Sequence, residues 1–178
     1  MPKLLFPVLC AVVAGCGNYS LPTEAEQATA IAALPGQFAP VSRSDRVEGQ
    51  ALTFRWALSE PNFSPEEWSW QEVEVTVEAG AAMTEAVTIR RSVSIDPAAL
   101  SSDVPASFSR GAWGLVLRCA ELGCVTVEEH IEIREGDTVV EAREQTRRPR
   151  GAEWLFDTYE LRDETTVLVR RALGAPPR

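Results

Sequence analysis

Residues 70–78 read Trp70-Gln71-Glu72-Val73-Glu74-Val75-Thr76-Val77-Glu78, and this stretch decides the fold. Valine recurs at every second position, and polar side chains occupy the positions between. A period of two places successive side chains on opposite faces of a β-strand. The stretch therefore predicts a strand with its valines on an apolar face and its glutamates on a polar face.

The same period of two continues on both sides of this stretch. Arg91 and Glu129 interrupt two of the apolar stripes, and Glu129 is interpreted as the site of a β-bulge. Strands with one polar face are typical of antiparallel sheets rather than buried parallel ones. The remaining alternating or β-rich stretches are residues 51–58, 86–95, 113–119, 125–133, 139–142, 154–159 and 165–169.

The chain is therefore predicted to be mainly β, an antiparallel β-sandwich with an immunoglobulin-like general architecture. Asp157-Thr158-Tyr159 resembles the tyrosine-corner region of immunoglobulin-like folds. One short N-terminal helix is predicted over 24–33, because Thr23-Glu24-Ala25-Glu26 has the capping-box pattern and Pro35-Gly36 ends it. Residues 37–46 are predicted to be a loop.

Composition excludes several classes of function. The chain has 178 residues, with 17 Lys and Arg against 26 Asp and Glu, a formal charge of -9. An acidic chain is a poor ligand for nucleic acid, whose phosphates attract Lys and Arg. The single histidine, His130, argues against histidine-rich metal sites and Ser/His/Asp catalysis. No glycine-rich phosphate loop is present, so no cofactor and no metal are predicted.

The N-terminus has the layout of an export signal. Met1-Pro2-Lys3 is followed by residues 4–15 without a charge, a run too short to span a bilayer. It ends in Val13-Ala14-Gly15-Cys16, which resembles the lipobox of bacterial lipoproteins. The alternative is an ordinary secreted protein cut near Ala14.

The lipobox resemblance implies a lipid-anchored protein. By it, Cys16 is acylated on sulfur, residues 1–15 are removed, and the new amino terminus is acylated, so that the membrane is a partner through the lipid. Gly17 stands where Asp would be the inner-membrane retention signal, which favours the outer membrane. The chain then divides into signal peptide 1–15, tether and helix 16–46, sandwich 47–174, and tail 175–178.

Cys119 and Cys124 enclose four residues that end in Gly123, between two extended segments. This spacing predicts a structural disulfide across a short hairpin loop, which an exported compartment allows. The alternatives are a redox pair, which usually has two intervening residues, and a zinc site, which needs two further ligands.

Trp68 and Trp70 flank Ser69 at the start of a predicted strand. Exposed aromatic rings stack on sugars or anchor a partner, whereas the alternative is packing in the core or at a sheet edge. Arg143, Arg147 and their neighbours Arg148 and Arg150 are expected in a solvated loop.

These features favour a non-catalytic binding or assembly role in the bacterial cell envelope, with an envelope protein or glycan as partner. One alternative is a carbohydrate-binding module that uses Trp68 and Trp70. Another is a carboxylate-dependent hydrolase of envelope glycans, for which Glu128 and Glu129 are poor partners because neighbouring strand residues point to opposite faces.

Overall fold

The computed structural model of the protein describes residues 20–47, 50–80 and 84–175. Two antiparallel β-sheets and two α-helices form this part of the chain. Strands dominate, as the period of two predicts, and the mainly β, antiparallel class is confirmed. The two sheets pack on a shared core, which is a sandwich-like arrangement.

The first half of the chain supplies one helix and four strands of the large sheet, and the second half supplies the small sheet, two more strands of the large sheet and the second helix. In chain order the elements are α1 (Glu24–Ala33), β1 (Val41–Val47), β2 (Gln50–Phe63), β3 (Trp68–Ala79), β4 (Thr84–Ile95), β5 (Ala106–Ser109), β6 (Ala112–Arg118), β7 (Val125–Glu135), β8 (Thr138–Arg147), β9 (Gly151–Phe156) and α2 (Tyr159–Ala172).

The large sheet has six strands in the order β1-β2-β3-β4-β7-β8, and the small sheet has three in the order β5-β6-β9. The chain leaves the large sheet after β4, builds β5 and β6, and returns for β7. An immunoglobulin constant-type sandwich divides its strands four and three with Greek-key connections. The immunoglobulin-like detail is therefore not confirmed, and Tyr159 begins a helix rather than forming a tyrosine corner.

Helix α1 forms where the sequence predicts it. The Glu26 backbone N–H donates to the Thr23 hydroxyl, and the Thr23 backbone N–H donates to the Glu26 carboxylate at 2.8 Å. This reciprocal pair satisfies two amide donors that the first turn leaves without partners. Ala30 and, just beyond the helix, Leu34 are buried in the main core, so α1 is part of the folded body.

Two predictions of local structure are wrong. Residues 41–47 form the edge strand β1 rather than a loop. Residues 165–169 belong to α2 rather than to a strand. Thr158 caps this helix, and its buried residues Thr165, Val169 and Ala172 recur at helical spacing, which outweighs the β propensity of the Thr-Thr-Val run.

The main core is an aromatic cluster between the sheets. Trp154 of β9 lies at its centre, with ring centroids 4.8 Å from Phe38, 5.6 Å from Phe63, 6.1 Å from Trp68 and 5.4 Å from Trp70. Edge-to-face and stacked rings at these distances add attraction beyond area burial. Leu115 and Leu117 of β6 bring the small sheet into the same cluster.

In β3, the face that hydropathy predicts to be buried is the more exposed one, and the face predicted to be exposed is buried. Its buried set is Trp68, Trp70, Glu72 and Glu74, and the valines between them lie on the other face, half-buried. The expectation that the glutamates form the solvent face is wrong. The two tryptophans set the register, because shifting β3 by one residue would move both out of the core.

The bulges of the large sheet lie away from Glu129, which pairs regularly with Arg91 and Gln145. The irregularities fall between Ser59 and Asn62 in β2 and at Val140 in β8, which has no partner where β7 runs from Ile133 to Arg134. The predicted bulge at Glu129 is therefore wrong, and the charged interruption of the stripe has another explanation.

Candidate functional site

A row of polar side chains crosses the inner face of the large sheet. Glu72 of β3 pairs in register with Arg91 of β4, Arg91 with Glu129 of β7, and Glu129 with Gln145 of β8. Side chains at facing positions of adjacent strands lie on the same face. The two interruptions in the sequence pattern, Arg91 and Glu129, are therefore neighbours in one row, which we call the Arg91 row.

Arg91 joins three buried carboxylates. Its Nη1 atom lies 2.6 Å from Glu72 Oε1 and 3.1 Å from Glu74 Oε2, and its Nε atom lies 2.6 Å from Glu129 Oε1. Glu72, Glu74 and Glu129 are only 7%, 4% and 5% exposed. Carboxylates withdrawn from water to this extent require a paired cation and hydrogen bonds.

Electrostatics hold Arg91 and Glu129 ionised. Burial by itself favours the neutral form of Arg91, but the hydrogen bonds to Glu129 and Glu72 and the charges of Glu72 and Glu74 outweigh it and raise the Arg91 pKa. Burial likewise acts to raise the pKa of Glu129, but hydrogen bonds from Arg91 and Gln145 outweigh it and lower that pKa. Glu129 is therefore a carboxylate and an acceptor rather than a proton donor.

Arg110 closes one side of the row from the tip of the β5–β6 hairpin. Arg110 and Gly111 form the two-residue turn, with φ of 51° and 73°. Asn and Gly are favoured at such positions, because a larger side chain is strained there. Arg110 nevertheless places Nη1 2.5 Å from Glu74 Oε2 and its guanidinium carbon 5.3 Å from the centre of the Phe54 ring.

The same hairpin tip is tied to the first strand and to the end of β9. Arg43 Nε donates to the Gly111 carbonyl at 2.9 Å, and Arg43 Nη2 donates to the Asp157 carbonyl at 2.7 Å. Arg43 also forms an ion pair with the Asp157 carboxylate. These contacts hold the Arg110 turn over the inner face of the large sheet.

Arg147 and Gln145 close the other side from β8. Arg147 Nη2 lies 2.8 Å from Glu129 Oε1, and the Gln145 amide donates to Glu129 Oε2. The side chains of Arg110 and Arg147 are 50% and 47% exposed, whereas the carboxylates that they contact are buried. Each arginine therefore reaches inward from solvent and keeps part of its guanidinium accessible.

The space between these groups is a cleft of about 310 Å³, which we call the charged cleft. Its wall on the small sheet includes Glu153, whose carboxylate accepts hydrogen bonds from Ser107 at 2.5 Å and Ser109 at 3.3 Å. In and beside the Arg91 row, the three glutamates Glu72, Glu74 and Glu129 are matched by the three arginines Arg91, Arg110 and Arg147. Its lining is Trp56, Glu72, Glu74, Arg91, Val93, Arg110, Val127, Arg147, Pro149, Gly151, Ala152, Glu153 and Leu155.

The charged cleft is suited to polar recognition at its rim. The accessible guanidinium groups of Arg110 and Arg147 are multiple hydrogen-bond donors of the kind that bind carboxylate or phosphate. The carboxylates at its base are already engaged by arginine, amide or hydroxyl donors. The arrangement therefore offers guanidinium donors to an anionic ligand.

The structure places the predicted tryptophan site in the core. Trp68 and Trp70 are 0% and 2% exposed. Core packing, the alternative to ligand contact, is what the structure shows, and rings buried this deeply are not available to a sugar. Trp70 Nε1 donates to Glu72 Oε2 at 3.3 Å, so this ring joins the aromatic cluster to the Arg91 row.

The predicted disulfide is confirmed, but its setting is not a hairpin. Cys119 and Cys124 are bonded, with Cα atoms 5.6 Å apart. The flanking strands β6 and β7 belong to different sheets. The bond therefore closes the crossing from the small sheet to the large one. The predicted lipid attachment residue, Cys16, lies outside the described residues.

Among Arg91 and the three carboxylates that it joins, two residues carried a signal in the sequence and two did not. Arg91 and Glu129 stand out because each interrupts an apolar stripe. Glu72 and Glu74 sit in regular alternation with valine, so nothing local marks them as buried. Arg147 belongs to the arginine cluster expected in a loop, but it ends the strand β8.

Two further structural tests concern metals and membranes. Within residues 20–47, 50–80 and 84–175, no group of three or more His, Cys, Asp or Glu side chains is placed to hold a metal ion. Neither helix of the described chain combines the length and apolarity that crossing a bilayer requires.

Comparison with known proteins found no matching family model, no matching curated protein and no matching solved structure.

Proposed function

We propose that this protein is a lipid-anchored component of a bacterial cell envelope, facing the periplasm or the cell exterior from the outer membrane, and that it binds or assembles with an envelope partner without catalysing a reaction. The observation that carries the proposal is the uncharged run of residues 4–15 ending in Val13-Ala14-Gly15-Cys16. Two or three acyl chains, at about 0.8 kcal/mol per buried methylene, hold a protein on a bilayer where one chain does so only marginally.

The position of α1 fits an anchor close to the folded body. The helix begins at Glu24 and its capping box involves Thr23. Only a short segment therefore separates Cys16 from structure that is packed into the core. A body tethered so closely meets its partners in the plane of the membrane, where confinement raises its effective concentration.

A binding role is favoured over glycan hydrolysis by the state of the carboxylates. A glycosidase needs one protonated carboxyl group, with its pKa raised, opposite a second carboxylate. The pKa of Glu129 is lowered, and Glu128 lies exposed on the opposite face of the sheet. The rim arginines of the charged cleft supply recognition chemistry for an anionic group of a protein or glycan partner.

The anchor is tested by replacing Cys16 in the full chain, expressed in a bacterium with an outer membrane. The wild-type protein should fractionate with the outer membrane and carry the added mass of its acyl chains. Cys16→Ser should abolish both properties. Cys10→Ser is the matched control, and should change neither because residue 10 lies in the segment that processing removes.

Two results would overturn the proposal. The anchor is excluded if Cys16→Ser leaves both fractionation and mass as in the wild type, apart from the substitution itself. The non-catalytic role is excluded if the purified protein releases fragments from peptidoglycan or envelope polysaccharide and a single acidic substitution, such as Glu153→Gln, stops the release.

A further inference from the structure

Three exposed aromatic rings form a continuous surface where the β5–β6 hairpin meets the start of α2. Phe108 of β5 pairs in register with Trp113 of β6, and their ring centroids lie 5.0 Å apart. The centroid of the Tyr159 ring lies 6.0 Å from that of Trp113. Phe108, Trp113 and Tyr159 are 62%, 36% and 51% exposed. We call this surface the aromatic patch, and contiguous exposed rings of this kind are typical of binding surfaces.

The aromatic patch lies on the opposite face of the hairpin from the charged cleft. Ser107 and Ser109 donate hydrogen bonds to Glu153 in the wall of that cleft. Phe108 stands between these two serines in β5, so its side chain points the other way. The patch is therefore a second surface, and the contacts of the charged cleft do not account for it.

The rings of the aromatic patch are held in place by their neighbours. The ring planes of Phe108 and Trp113 cross at 65°, and those of Trp113 and Tyr159 cross at 72°, which is edge-to-face packing. The guanidinium carbon of Arg162 lies 5.4 Å from the centre of the Trp113 ring, and Arg162 Nη2 lies 2.6 Å from Asp163 Oδ1. A ligand therefore meets rings that are already positioned, which reduces the entropy lost on binding.

The charges around the aromatic patch disfavour a strongly charged ligand. Arg162 already lies over the Trp113 ring, so a second cation would meet a like charge there. An anion would meet the exposed carboxylates of Glu160 and Asp163. A hydrogen bond to the Glu160 carboxylate raises the pKa of Tyr159, so the phenol donates to Glu160 and its oxygen remains an acceptor. These acceptors suit the hydroxyl groups of an uncharged ligand.

The area of the aromatic patch suits a small occupant. Since an aromatic side chain contributes about 150–250 Å² of surface, the exposed parts of the three rings amount to about 300 Å². A stable interface between two proteins needs about 800 Å² on each partner. The patch is therefore too small to hold a second copy of the chain or a globular partner by itself, whereas it can cover a short segment of a sugar chain.

The position of the aromatic patch disfavours the membrane as its cover. Pro22, near the start of the described chain, lines a groove together with Arg171 and Ala175 at the end of α2. Tyr159 begins α2, and this helix of 14 residues is about 21 Å long. The patch therefore lies at the opposite end of α2 from the segment that leads to Cys16.

We propose that the aromatic patch binds a glycan built of uncharged sugar units. The C–H bonds on the face of a sugar ring pack on the negative face of an aromatic ring, and its hydroxyl groups donate to the carboxylates and the phenol oxygen beside the rings. Trp68 and Trp70 are buried, and the tryptophan that takes this role is Trp113. The proposal rests on the binding role proposed above and names the class of its partner.

Trp113 is an internal reporter for the test, because the chain has five tryptophans and the other four are at most 2% exposed. The full chain, extracted in a detergent whose head group is not a sugar, is titrated with tetramers of glucose and of N-acetylglucosamine. At least one tetramer should change the tryptophan fluorescence with saturation, and Trp113→Phe should abolish the change. Tetragalacturonate should bind more weakly, because its carboxylates meet those of Glu160 and Asp163.

The other two rings are tested with the reporter in place. Phe108→Ala and Tyr159→Ala should each weaken binding of the responding tetramer about threefold to tenfold. Leu122→Ala is the control, because it removes a side chain that is 75% exposed at the opposite end of β6, and it should leave the affinity unchanged. Circular dichroism confirms that each variant folds.

Several outcomes would overturn the proposal. A saturable response to neither tetramer, or a response that persists in Trp113→Phe, would exclude glycan binding at the patch. Tighter binding of tetragalacturonate would exclude the uncharged class. A dimer that Tyr159→Ala dissolves, or binding to phospholipid vesicles that Phe108→Ala abolishes, would show that a second copy or a membrane covers the rings.

Failure of the proposed function is seen separately from failure of this inference. The titration measures binding whether or not Cys16 is acylated, so loss of the anchor does not change its result. Chromatography of the tetramers after the titration shows whether the protein cleaves them. Cleavage would contradict the non-catalytic role, whereas absence of binding contradicts only the glycan assigned to the aromatic patch.

Discussion

The two ends of β3 present opposite chemistry on the same buried face. At one end Trp68 and Trp70 pack into the aromatic cluster, and at the other Glu72 and Glu74 join the Arg91 row. All four residues are less than a tenth exposed. Burial alone therefore does not distinguish an apolar core from a charged one, and the difference lies in what each residue requires from its neighbours.

The aromatic end of β3 requires only close-packed apolar neighbours, whereas the charged end requires particular cations and hydrogen-bond donors. Rings contribute through the area that they remove from water and tolerate any close-packed apolar neighbour. A buried carboxylate loses its hydration, and that loss is offset only while its arginine and hydrogen-bond donors are in place. We therefore expect the Arg91 row to help the tryptophans align β3 with β4, and to contribute more to this alignment than to net stability.

The largest expected effect is the loss of stability when the aromatic cluster at one end of β3 is disrupted. Trp154→Ala should lower the free energy of unfolding by about 4–5 kcal/mol, because it removes the ring at the centre of the cluster and leaves a cavity. Denaturant titration followed by circular dichroism measures the loss. Trp113→Ala is the control, and should cost about 1–2 kcal/mol because this ring is 36% exposed. Equal losses would mean that Trp154 is not central.

The next largest effect is the loss of stability when the charged end of β3 loses its cation. Arg91→Met keeps the length of the side chain but leaves three buried carboxylates without their shared cation, and should lower the free energy of unfolding by about 3 kcal/mol. Arg90→Met removes an exposed arginine from the other face of the same strand and should cost less than about 0.5 kcal/mol. If both variants unfold alike, the row does not depend on Arg91.

A smaller effect tests the disulfide in the segment that connects β6 of the small sheet to β7 of the large sheet, near the aromatic end of β3. Replacing Cys119 and Cys124 by serine should lower the free energy of unfolding by about 2 kcal/mol, as the loss of a short closed loop predicts. Reduction of the wild-type protein should produce the same loss, and reductant should not affect the serine variant. Unfolding midpoints measured with and without reductant supply the test.

The smallest expected effect is a change in how steeply the stability of the protein depends on pH, which concerns only the charged end of β3. The folded pKa of Glu129 is lowered from the ordinary value of 4.5, so the unfolded chain holds this proton more tightly. Its stabilising contribution is therefore present above that ordinary value and is lost as the pH falls through the lowered folded value. Stability measured between neutral and acid pH should fall less steeply in Glu129→Gln than in the wild type.

The control for this prediction is Glu128→Gln, which removes an acid from the same strand without contacting the Arg91 row. It should leave the contribution of Glu129 in place. An unchanged slope in Glu129→Gln would show that this carboxylate does not couple folding to pH. Aromatic packing has no titrating group, so pH separates the two ends of β3 where denaturant does not.

The sequence was sufficient for the class of the fold and for its local signals. Alternation predicted the strands around 51–58, 86–95 and 125–133, and the capping box at Thr23 and Glu26 predicted α1. The spacing of Cys119 and Cys124 predicted their bond. These features depend on neighbouring residues alone, so a local pattern carries them.

What the sequence did not supply depends on contacts between distant residues. Glu72 is buried because Arg91 lies on the next strand, and no residue near it in the chain indicates this. The strand expected at 165–169 is a helix because Thr165 and Val169 pack on the body, which overrides the preference of Thr and Val for strands. Arg91 and Glu129 were visible as interruptions, but their pairing follows only from the register of β4 and β7.

The inverted faces of β3 also bear on how the chain reaches its native state. A strand displaced by one position would bring the valines inward and the glutamates outward, which satisfies simple hydropathy and forms a competing, misaligned sheet. The native alignment prevails through the large rings of Trp68 and Trp70 and through the cation supplied by β4. A variant that lacked both the rings and the cation would therefore lose the contacts that favour the native alignment over the displaced one.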